Sequence, residues 1–340
     1  MAETSMKHLI LAPLRGFTDA VFRNAFQRHF KGVDEAVAPF VTSIKGRCIK
    51  PSHLRDLLPV DNRAMPVVPQ ILSNNPAEFI CLANALFDIG YREINWNLGC
   101  PFPMVAKKMR GSGLLPHPDV IDRMLDETLR GISGNLSIKT RLGRFSSDEM
   151  DRLIPVFNRY PLSRVIVHPR TGVQMYAGKV DLKAFEVCQA RISHPVVYNG
   201  DINDLAMFQL LESRFPSLSG WMLGRGLIAN PFLSEMIQSG TRLICHRNAR
   251  FETFHDDLVA GYGRQFSGPG HVLDRMKGFW RYFASDFPDS RRIVKQIRKA
   301  DSLDRYRQAV KAVFDGQDRW GSCRENAASL DCTSNQNLLY

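Results

Sequence analysis

The feature that most constrains the fold of this 340-residue chain is a regular alternation of short apolar runs with longer helical stretches. Eight such runs come before Arg225, and segments such as Asn75–Gly90 between them carry apolar residues at helical spacing. Eight strand–helix alternations favour a closed parallel barrel over an open sheet. The predicted strands are Leu9–Ala12, Ala36–Phe40, Val67–Leu72, Glu93–Asn97, Leu136–Arg141, Arg164–His168, Val196–Asn199 and Trp221–Gly224.

The pattern changes after Pro231, beyond which no strand is predicted. We therefore predict a (β/α)₈ TIM barrel in residues 1–242, followed by a small helical domain in residues 243–318. Residues 319–340 are rich in Ser, Asn and Asp without periodicity and are predicted to be disordered. The helices expected in the second domain are Phe251–Tyr262, Val272–Ser285, Arg291–Lys299 and Leu303–Phe314.

The net charge of +11 favours a polyanionic partner. Residues 241–320 hold 16 Lys and Arg against 10 Asp and Glu, a surplus of six, although charge alone also fits a solvated helical surface. No apolar stretch reaches the roughly 18 residues that a membrane span needs. Residues 1–8 also lack the apolar core of a signal peptide. We expect a cytoplasmic protein with no membrane partner, and a monomer.

The seven cysteines form no C-x-x-C pair, so neither a zinc site nor a disulfide framework is expected. Six of them are interpreted as small hydrophobic residues or surface thiols. Cys100 is different, because the Gly99-Cys100-Pro101 turn ends the fourth strand and exposes the thiol at the barrel mouth. A thiol there can act as a proton donor or as a nucleophile. Since no basic neighbour is evident, the donor role is favoured.

Barrels of this kind gather functional groups at the carboxyl ends of their strands. Strands seven and eight end in Asn199-Gly200-Asp201 and Gly224-Arg225-Gly226, where glycines allow close backbone approach and an arginine adds charge, as a phosphate site requires. Lys139, His168 and Gln70 end other strands. A lysine at such a position suits an anion or an electron-rich ring, and the three together suit a flavin.

In combination, these motifs resemble the tRNA-dihydrouridine synthases, in the same order over about residues 9–235. The matching segments are Ala12-Pro13-Leu14-x-Gly16-x-Thr18-Asp19, Asn97-x-Gly99-Cys100-Pro101 with Val105 and Gly111-Ser112-Gly113-Leu114-Leu115, Lys139-x-Arg141, His168-x-Arg170-Thr171, Gln174-x-Tyr176-x-Gly178 with Asp181, Asn199-Gly200-Asp201 and Gly224-Arg225-Gly226.

The resemblance implies an FMN-bound barrel with a tRNA-gripping helical domain and NADPH as reductant. The implied reaction reduces the C5–C6 double bond of specific uridines, with Cys100 as general acid. The resemblance assigns Pro13, Leu14, Gln70, Lys139 and His168 to the flavin ring and ribityl chain, and Asn199, Gly200, Asp201, Gly224 and Arg225 to the phosphate end. The substrate-binding residues it suggests, together with the basic tail, are Asn97, Arg141, Arg170, Arg275 and Lys277.

The chain departs from the family pattern beside the implied general acid. Family members often carry lysines directly after the Cys-Pro pair, whereas this chain reads Phe102-Pro103-Met104 and has its basic residues later, at Lys107 and Lys108. Pro169 also stands where a glycine is common. The first difference leaves open how the substrate backbone is held near Cys100, whereas Pro169 should stiffen its loop and leave the flavin contact intact.

Two other functions remain as alternatives. A flavin barrel acting on a small pyrimidine or enoate would share the phosphate and flavin motifs, but the basic tail and the Gly-Cys-Pro turn argue against it. An RNA-binding module without flavin chemistry is a different class, and Cys100, Lys139 and His168 argue against that. Reduction of free uracil would favour the first alternative, and a colourless preparation the second.

Overall fold

The computed structural model describes residues 6–44, 51–285, 287 and 289–316, and its strands pair in one parallel sheet. The strands are β1 (Leu9–Leu11), β2 (Glu35–Val37), β3 (Val41–Thr42), β4 (Val67–Val68), β5 (Gln70–Leu72), β6 (Glu93–Leu98), β7 (Asn135–Gly143), β8 (Val165–Thr171), β9 (Val196–Tyr198) and β10 (Gly220–Leu223).

The sheet closes on itself as an eight-stranded barrel. Its order is β3-β5-β6-β7-β8-β9-β10-β1-β2-β4, and the two ends meet because β2 with β3, and β4 with β5, are halves of single strands. Pro39 and Pro69 lie at the two interruptions, where proline cannot donate to the ladder. The Pro69 carbonyl still accepts the Asn95 N–H at 2.8 Å. The predicted TIM barrel is confirmed, and each break has a local cause.

Helices cover the outside of the barrel, and four of them begin at a side-chain cap. Asp19, Asn75, Asp181 and Asp204 each accept a backbone N–H from the first turn that follows. The helices of this part are α1 (Ala20–His29), α2 (Pro51–Leu54), α3 (Pro76–Asp88), α4 (Pro103–Ala106), α5 (Pro118–Gly131), α6 (Met150–Phe157), α7 (Leu182–Arg191), α8 (Leu205–Arg214), α9 (Arg225–Ala229) and α10 (Leu233–Ser239), with 3₁₀ turns at Pro59–Asp61, Gly111–Leu114 and Ser147–Glu149.

Four further helices follow a linker at 240–246: α11 (Arg247–Gln265), α12 (Pro269–Phe283), α13 (Ser290–Lys299) and α14 (Leu303–Gly316). Helices α11 and α12 pack on α1 through aromatic rings, with the Phe22 ring 5.7 Å from Phe279 and 5.8 Å from Phe254. Asp19, the cap of α1, also accepts hydrogen bonds from Tyr262 and Arg275. The barrel and the helices therefore share one continuous apolar core.

The predicted boundary at 242/243 falls within the linker between α10 and α11. A separate tRNA-binding role for residues 243–318 stays a prediction, and the predicted disorder of 319–340 lies outside the described residues.

One sequence interpretation is wrong: Cys81 forms a disulfide. Pairing depends on proximity in space, which the spacing of cysteines does not give. No helix in the described part of the chain is long and apolar enough to cross a membrane.

The helical domain is centred on a buried hydrogen-bonded trio. The hydroxyl of Tyr306 donates to His255 Nε2 at 2.6 Å and accepts from Trp280 Nε1 at 2.8 Å. All three side chains are buried. Tyr306→Phe leaves both partners buried without that oxygen, so we expect a loss of about 2 kcal/mol in the free energy of unfolding. Urea denaturation measures it, and an unchanged midpoint would contradict the structural role.

Candidate active site

A cavity of about 590 Å³ opens at the carboxyl ends of the barrel strands, a volume typical of small-molecule and cofactor sites. The structure brings most of the predicted site residues together there. Those that line the cavity are Pro13, Leu14, Asn97, Cys100, Lys139, Arg141, His168, Asn199, Gly200, Asp201, Gly224 and Arg225. Four predicted site residues lie elsewhere: Gln70, Arg170, Arg275 and Lys277.

Cys100 is held rigidly through its backbone. Its N–H donates to Asn97 Oδ1 at 2.8 Å, and its carbonyl accepts from both the N–H and the hydroxyl of Ser112 at 3.0 Å. The residue lines the cavity but is only 8% exposed. The backbone of Cys100 is therefore held in place at the cavity wall.

Burial raises the pKa of the Cys100 thiol, while the Phe102 N–H and the nearby positive charges of Arg141, Arg15 and Lys139 oppose that shift. A thiol whose pKa lies above its ordinary value stays protonated at neutral pH. That state suits a proton donor better than a nucleophile.

Gly111 packs directly against Cys100 and has a φ of +56°. A Cβ added there would lie 2.8 Å from both Cys100 Cβ and the Cys100 carbonyl oxygen. We expect Gly111→Ala to shift the thiol and lower turnover by roughly 100-fold, the scale of an ångström-sized misplacement, with flavin occupancy kept. Gly263→Ala is the matched control, because nothing lies within 4 Å of its added Cβ. Equal turnover in the two variants would contradict the packing argument.

A chain of amides runs beneath the cavity floor. Asn97 Nδ2 donates to Gln70 Oε1 at 2.7 Å, Gln70 Nε2 donates to Asn95 Oδ1 at 2.7 Å, and Asn95 Nδ2 donates to Ser137 Oγ at 2.9 Å. Gln70 is fully buried, and its amide is engaged at both ends. It orients Asn97 from below instead of facing the cavity.

Lys139, on β7, is the one lysine among the described residues that line the cavity. Burial and, after it, the charge of Arg141 lower the pKa of Lys139 to about 7, while Cys100 opposes the shift. The ammonium thus sits in surroundings that do not compensate its charge. An anionic or electron-rich group bound in the cavity would supply that compensation.

His168 lines the cavity, and its imidazole ring is neutral. Burial, followed by the charges of Arg141, Lys139, Arg170 and Arg225, lowers the pKa of His168 well below its ordinary value. A guanidinium only donates, so the 3.1 Å contact from the Arg170 side chain makes Nε2 the acceptor. The ring proton is thereby assigned to Nδ1, which leaves that N–H as a donor.

Arg170 lies behind the cavity wall. Five hydrogen bonds engage its guanidinium, which has five N–H groups: two go to Asp201, one to His168, and one each to the Ala177 and Gly178 carbonyls. The predicted substrate contact would need one of these bonds to break. Its observed contacts are those of a residue that fixes His168 and Asp201.

The ends of β9 and β10 form the opposite side of the cavity. A Cβ on Gly224 would press on Ala12 at 3.4 Å, and one on Gly200 would meet Val180 at 3.0 Å. Arg225 donates to Asp201 at 2.9 Å, and its guanidinium carbon lies 5.1 Å from the centre of the Tyr176 ring. This close backbone with an anchored arginine fits a phosphate group.

Arg141 braces two loops of the cavity. Its Nε donates to the Gly99 carbonyl at 2.9 Å, next to Cys100, and its Nη1 donates to the carbonyls of Thr171 and Met175 at 2.9 and 2.7 Å. Its guanidinium carbon lies 5.4 Å from the centre of the Tyr176 ring. Tyr176 thus contacts two arginines at the cavity mouth.

The helical domain also reaches the cavity. Tyr282 of α12 lines it and contacts Phe17 edge-on, with ring centres 5.1 Å apart. Arg275 instead pairs with Asp19 and stacks on Tyr262 at 4.9 Å, while Lys277 is half-buried. Sequence reasoning placed Tyr176 in a motif without a role. It missed Tyr282, whose contact joins distant parts of the chain.

A family model described as dihydrouridine synthase matches residues 10–319. The chain belongs to the dihydrouridine synthase family. Membership confirms the resemblance drawn from the motifs and implies a flavin cofactor. Among the described residues, no three His, Cys, Asp or Glu side chains are grouped so as to hold a metal ion.

Curated family members support the same assignment. A probable tRNA-dihydrouridine synthase of Staphylococcus epidermidis is 32% identical over 241 residues, which cover 66% of this chain and 70% of the relative. One from Rhodobacter capsulatus is 28% identical over 226 residues, 66% of this chain and 68% of the relative. In fold, the chain is similar to the old yellow enzyme from Trypanosoma cruzi, with a TM-score of 0.51 at 12% identity over 75% of this chain and 93% of that one.

Proposed function

We propose that this family member reduces specific uridines of tRNA to 5,6-dihydrouridine, with FMN as cofactor and NADPH as electron donor. The observation that carries the proposal is that buried Cys100 and half-buried Lys139 line one cavity at the carboxyl ends of the strands. A proton donor and a cation that favours an electron-rich ring are the two groups that this reduction needs from the protein.

The cavity residues fit FMN. Lys139 and the Nδ1–H of His168 would contact the ring, and Pro13, Leu14 and Asn199 would pack along it, with Gln70 acting from beneath through Asn97. Gly200, Gly224 and Arg225 would hold the phosphate, with Asp201 keeping Arg225 in place. The cofactor's chemistry, once NADPH has reduced it, is the delivery of a hydride to C6 of uracil.

The chain's own residues then supply the proton. Cys100 gives its thiol proton to C5 of the uracil, because its raised pKa keeps it protonated and the Asn97 and Ser112 contacts hold its backbone still. Asn97 and Arg141 border the thiol and would orient the base. Arg170 acts as a positioning residue through His168 and Asp201, and Arg275 by fixing α12 to Asp19.

A basic groove between α12 and α13 is the proposed contact for the RNA backbone. It has a volume of about 510 Å³, and its lining includes five basic side chains: Arg281, Arg291, Lys295, Arg298 and Lys299. Among the residues that the structure describes, no acidic side chain lines this groove. Such a groove suits phosphates, which position the RNA without reading its sequence. Lys277, on the same helix as Arg281, would add to this surface.

Neutralising the groove should weaken RNA binding in a salt-dependent way. We expect Lys295→Ala and Arg298→Ala each to reduce the slope of log affinity against log salt by about 0.7–0.9, the value for one phosphate contact. Filter binding of unmodified tRNA at several salt concentrations measures this slope. Arg130→Ala, an exposed residue of α5, is the control. The groove is not the RNA site if its variants keep the control's slope.

The proposed reaction is tested with purified protein, FMN, NADPH and unmodified tRNA transcripts. Nucleosides are then analysed by mass spectrometry, where each reduced uridine gains two hydrogens. Conversion of defined uridines in tRNA, with free uridine and uracil left intact, is the expected result. Efficient reduction of the free pyrimidines with tRNA untouched would favour the small-substrate alternative instead.

A further inference from the structure

The cavity mouth carries large apolar side chains that face solvent. Phe102 is 50% exposed, Met104 is 74% exposed and Phe145 is 67% exposed. Phe102 and Met104 line the cavity itself. Phe145 is tied to the same edge by Arg144, whose guanidinium carbon lies 5.8 Å from the Phe145 ring centre and which donates to the Pro101 carbonyl at 3.2 Å. We call Phe102, Met104 and Phe145 the apolar lip.

Hydrogen bonds hold the backbone of Phe102, the central residue of the lip, in place. Phe102 lies between Pro101 and Pro103, and its carbonyl accepts the N–H groups of Val105 and Ala106 at 2.9 Å as α4 begins. Phe102 lines the same cavity as Cys100, two residues along the chain.

Single exposed apolar residues are common and need no function. The lip differs because it is continuous with the cavity and stands directly after the proposed proton donor. At that point the chain offers exposed apolar surface to an RNA strand. Aromatic side chains bind unpaired bases by stacking, whatever the base.

We propose that Phe102, supported by Met104 and Phe145, stacks on an unpaired base next to the target uridine. This inference rests on the proposed function, because it takes RNA as the substrate. The neighbour loses the uridine as a stacking partner when the uridine is extruded, and stacking on the lip offsets part of that loss. The contact makes the lip a positioning surface that requires an unpaired, base-bearing neighbour.

The test is a double-mutant cycle between protein and RNA. The RNA is the pentanucleotide AAUAA, and two further versions carry an abasic ribose on the 5′ or the 3′ side of the uridine. Binding to the flavin-loaded full-length protein is measured by fluorescence polarisation. For the wild type we expect one of the abasic versions to bind about tenfold more weakly.

The Phe102→Ala variant should bind the intact and the abasic RNA with equal, weakened affinity. Phe102→Trp should restore the difference, because indole also stacks. Leu210→Ala, which removes a 57% exposed side chain on α8, should behave as the wild type. The contact should also persist at high salt, unlike the contacts of the basic groove.

The inference is overturned if both abasic RNAs lose the same factor in Phe102→Ala as in the wild type, or if neither loses affinity in the wild type. Failure of the proposed function looks different. If the effects of the Phe102 substitution and of the abasic site are coupled but no dihydrouridine forms on tRNA, the proposed reaction is rejected and the stacking contact is kept. Dihydrouridine formed with no coupling would do the reverse.

Discussion

Cys100→Ala is expected to lower the rate of uridine reduction by about 10²- to 10⁴-fold, the usual contribution of a positioned general acid. The flavin should stay bound, because the thiol lies at the cavity wall and the proposed cofactor contacts come from other residues. The rate is measured in a single turnover, with flavin reduced beforehand and tRNA added. Cys188→Ala, a buried cysteine of α7, is the matched control and should keep the wild-type rate.

The pH profile of that rate separates proton donation from a structural role. Burial raises the pKa of Cys100, so the thiol stays protonated through neutral pH and loses its proton only at alkaline pH. The wild-type rate should therefore be flat near neutrality and fall in the alkaline range. Cys100→Ala should be slow and should lack that fall. A variant that keeps the alkaline fall would remove Cys100 from the proton-transfer step.

Lys139→Met is expected to make the flavin-free protein more stable and yet unable to hold flavin. Burial lowers the pKa of Lys139 to about 7, which means that the folded chain carries an uncompensated charge below that pH. Removing it should raise the free energy of unfolding below pH 7 by a few kcal/mol, since lowering a pKa by one corresponds to about 1.4 kcal/mol. Flavin retention should fall at least tenfold, as measured by absorbance after dialysis.

The stability gain should depend on pH in a defined direction. Between about pH 7 and the ordinary lysine pKa of about 10.4, the unfolded chain binds a proton that the folded chain lacks. Wild-type stability therefore rises across this window. The advantage of Lys139→Met should be largest below pH 7 and vanish toward pH 10. Lys183→Met, an exposed lysine of α7, should show no such trend. A destabilised Lys139→Met protein at pH 6 would contradict the account.

The barrel could be predicted because each of its elements leaves a local mark. Strand β9 is a continuous apolar run, β7 alternates apolar and polar residues from Leu136 onward, and helices such as α3 show their periodicity and their cap directly in the sequence. The breaks in two strands coincide with Pro39 and Pro69. The motifs at the strand ends lie together for the same reason, since parallel strands bring their carboxyl ends to one edge.

Contacts between distant segments could not be predicted in this way. The burial of Gln70 beneath Asn97, the full engagement of Arg170 and the pairing of Arg275 with Asp19 depend on side-chain geometry. Periodicity and motif spacing carry none of that information. The same holds for Tyr282, which reaches the cavity only because α12 packs on the barrel.

The account depends on Cys100 facing the pyrimidine that is reduced. Its most direct test uses tRNA with 5-bromouridine at the mapped target position and the reduced, flavin-loaded enzyme. A sulfur–carbon bond can then form as the carbon–bromine bond breaks, with the thiol proton and bromide released together as hydrogen bromide. The account predicts a covalent adduct whose mass is that of the protein plus the tRNA less hydrogen bromide, located on Cys100 by peptide mapping. An adduct on another of the seven cysteines would contradict the account. So would the absence of any adduct from an enzyme preparation that reduces the same tRNA with an ordinary uridine at the target position.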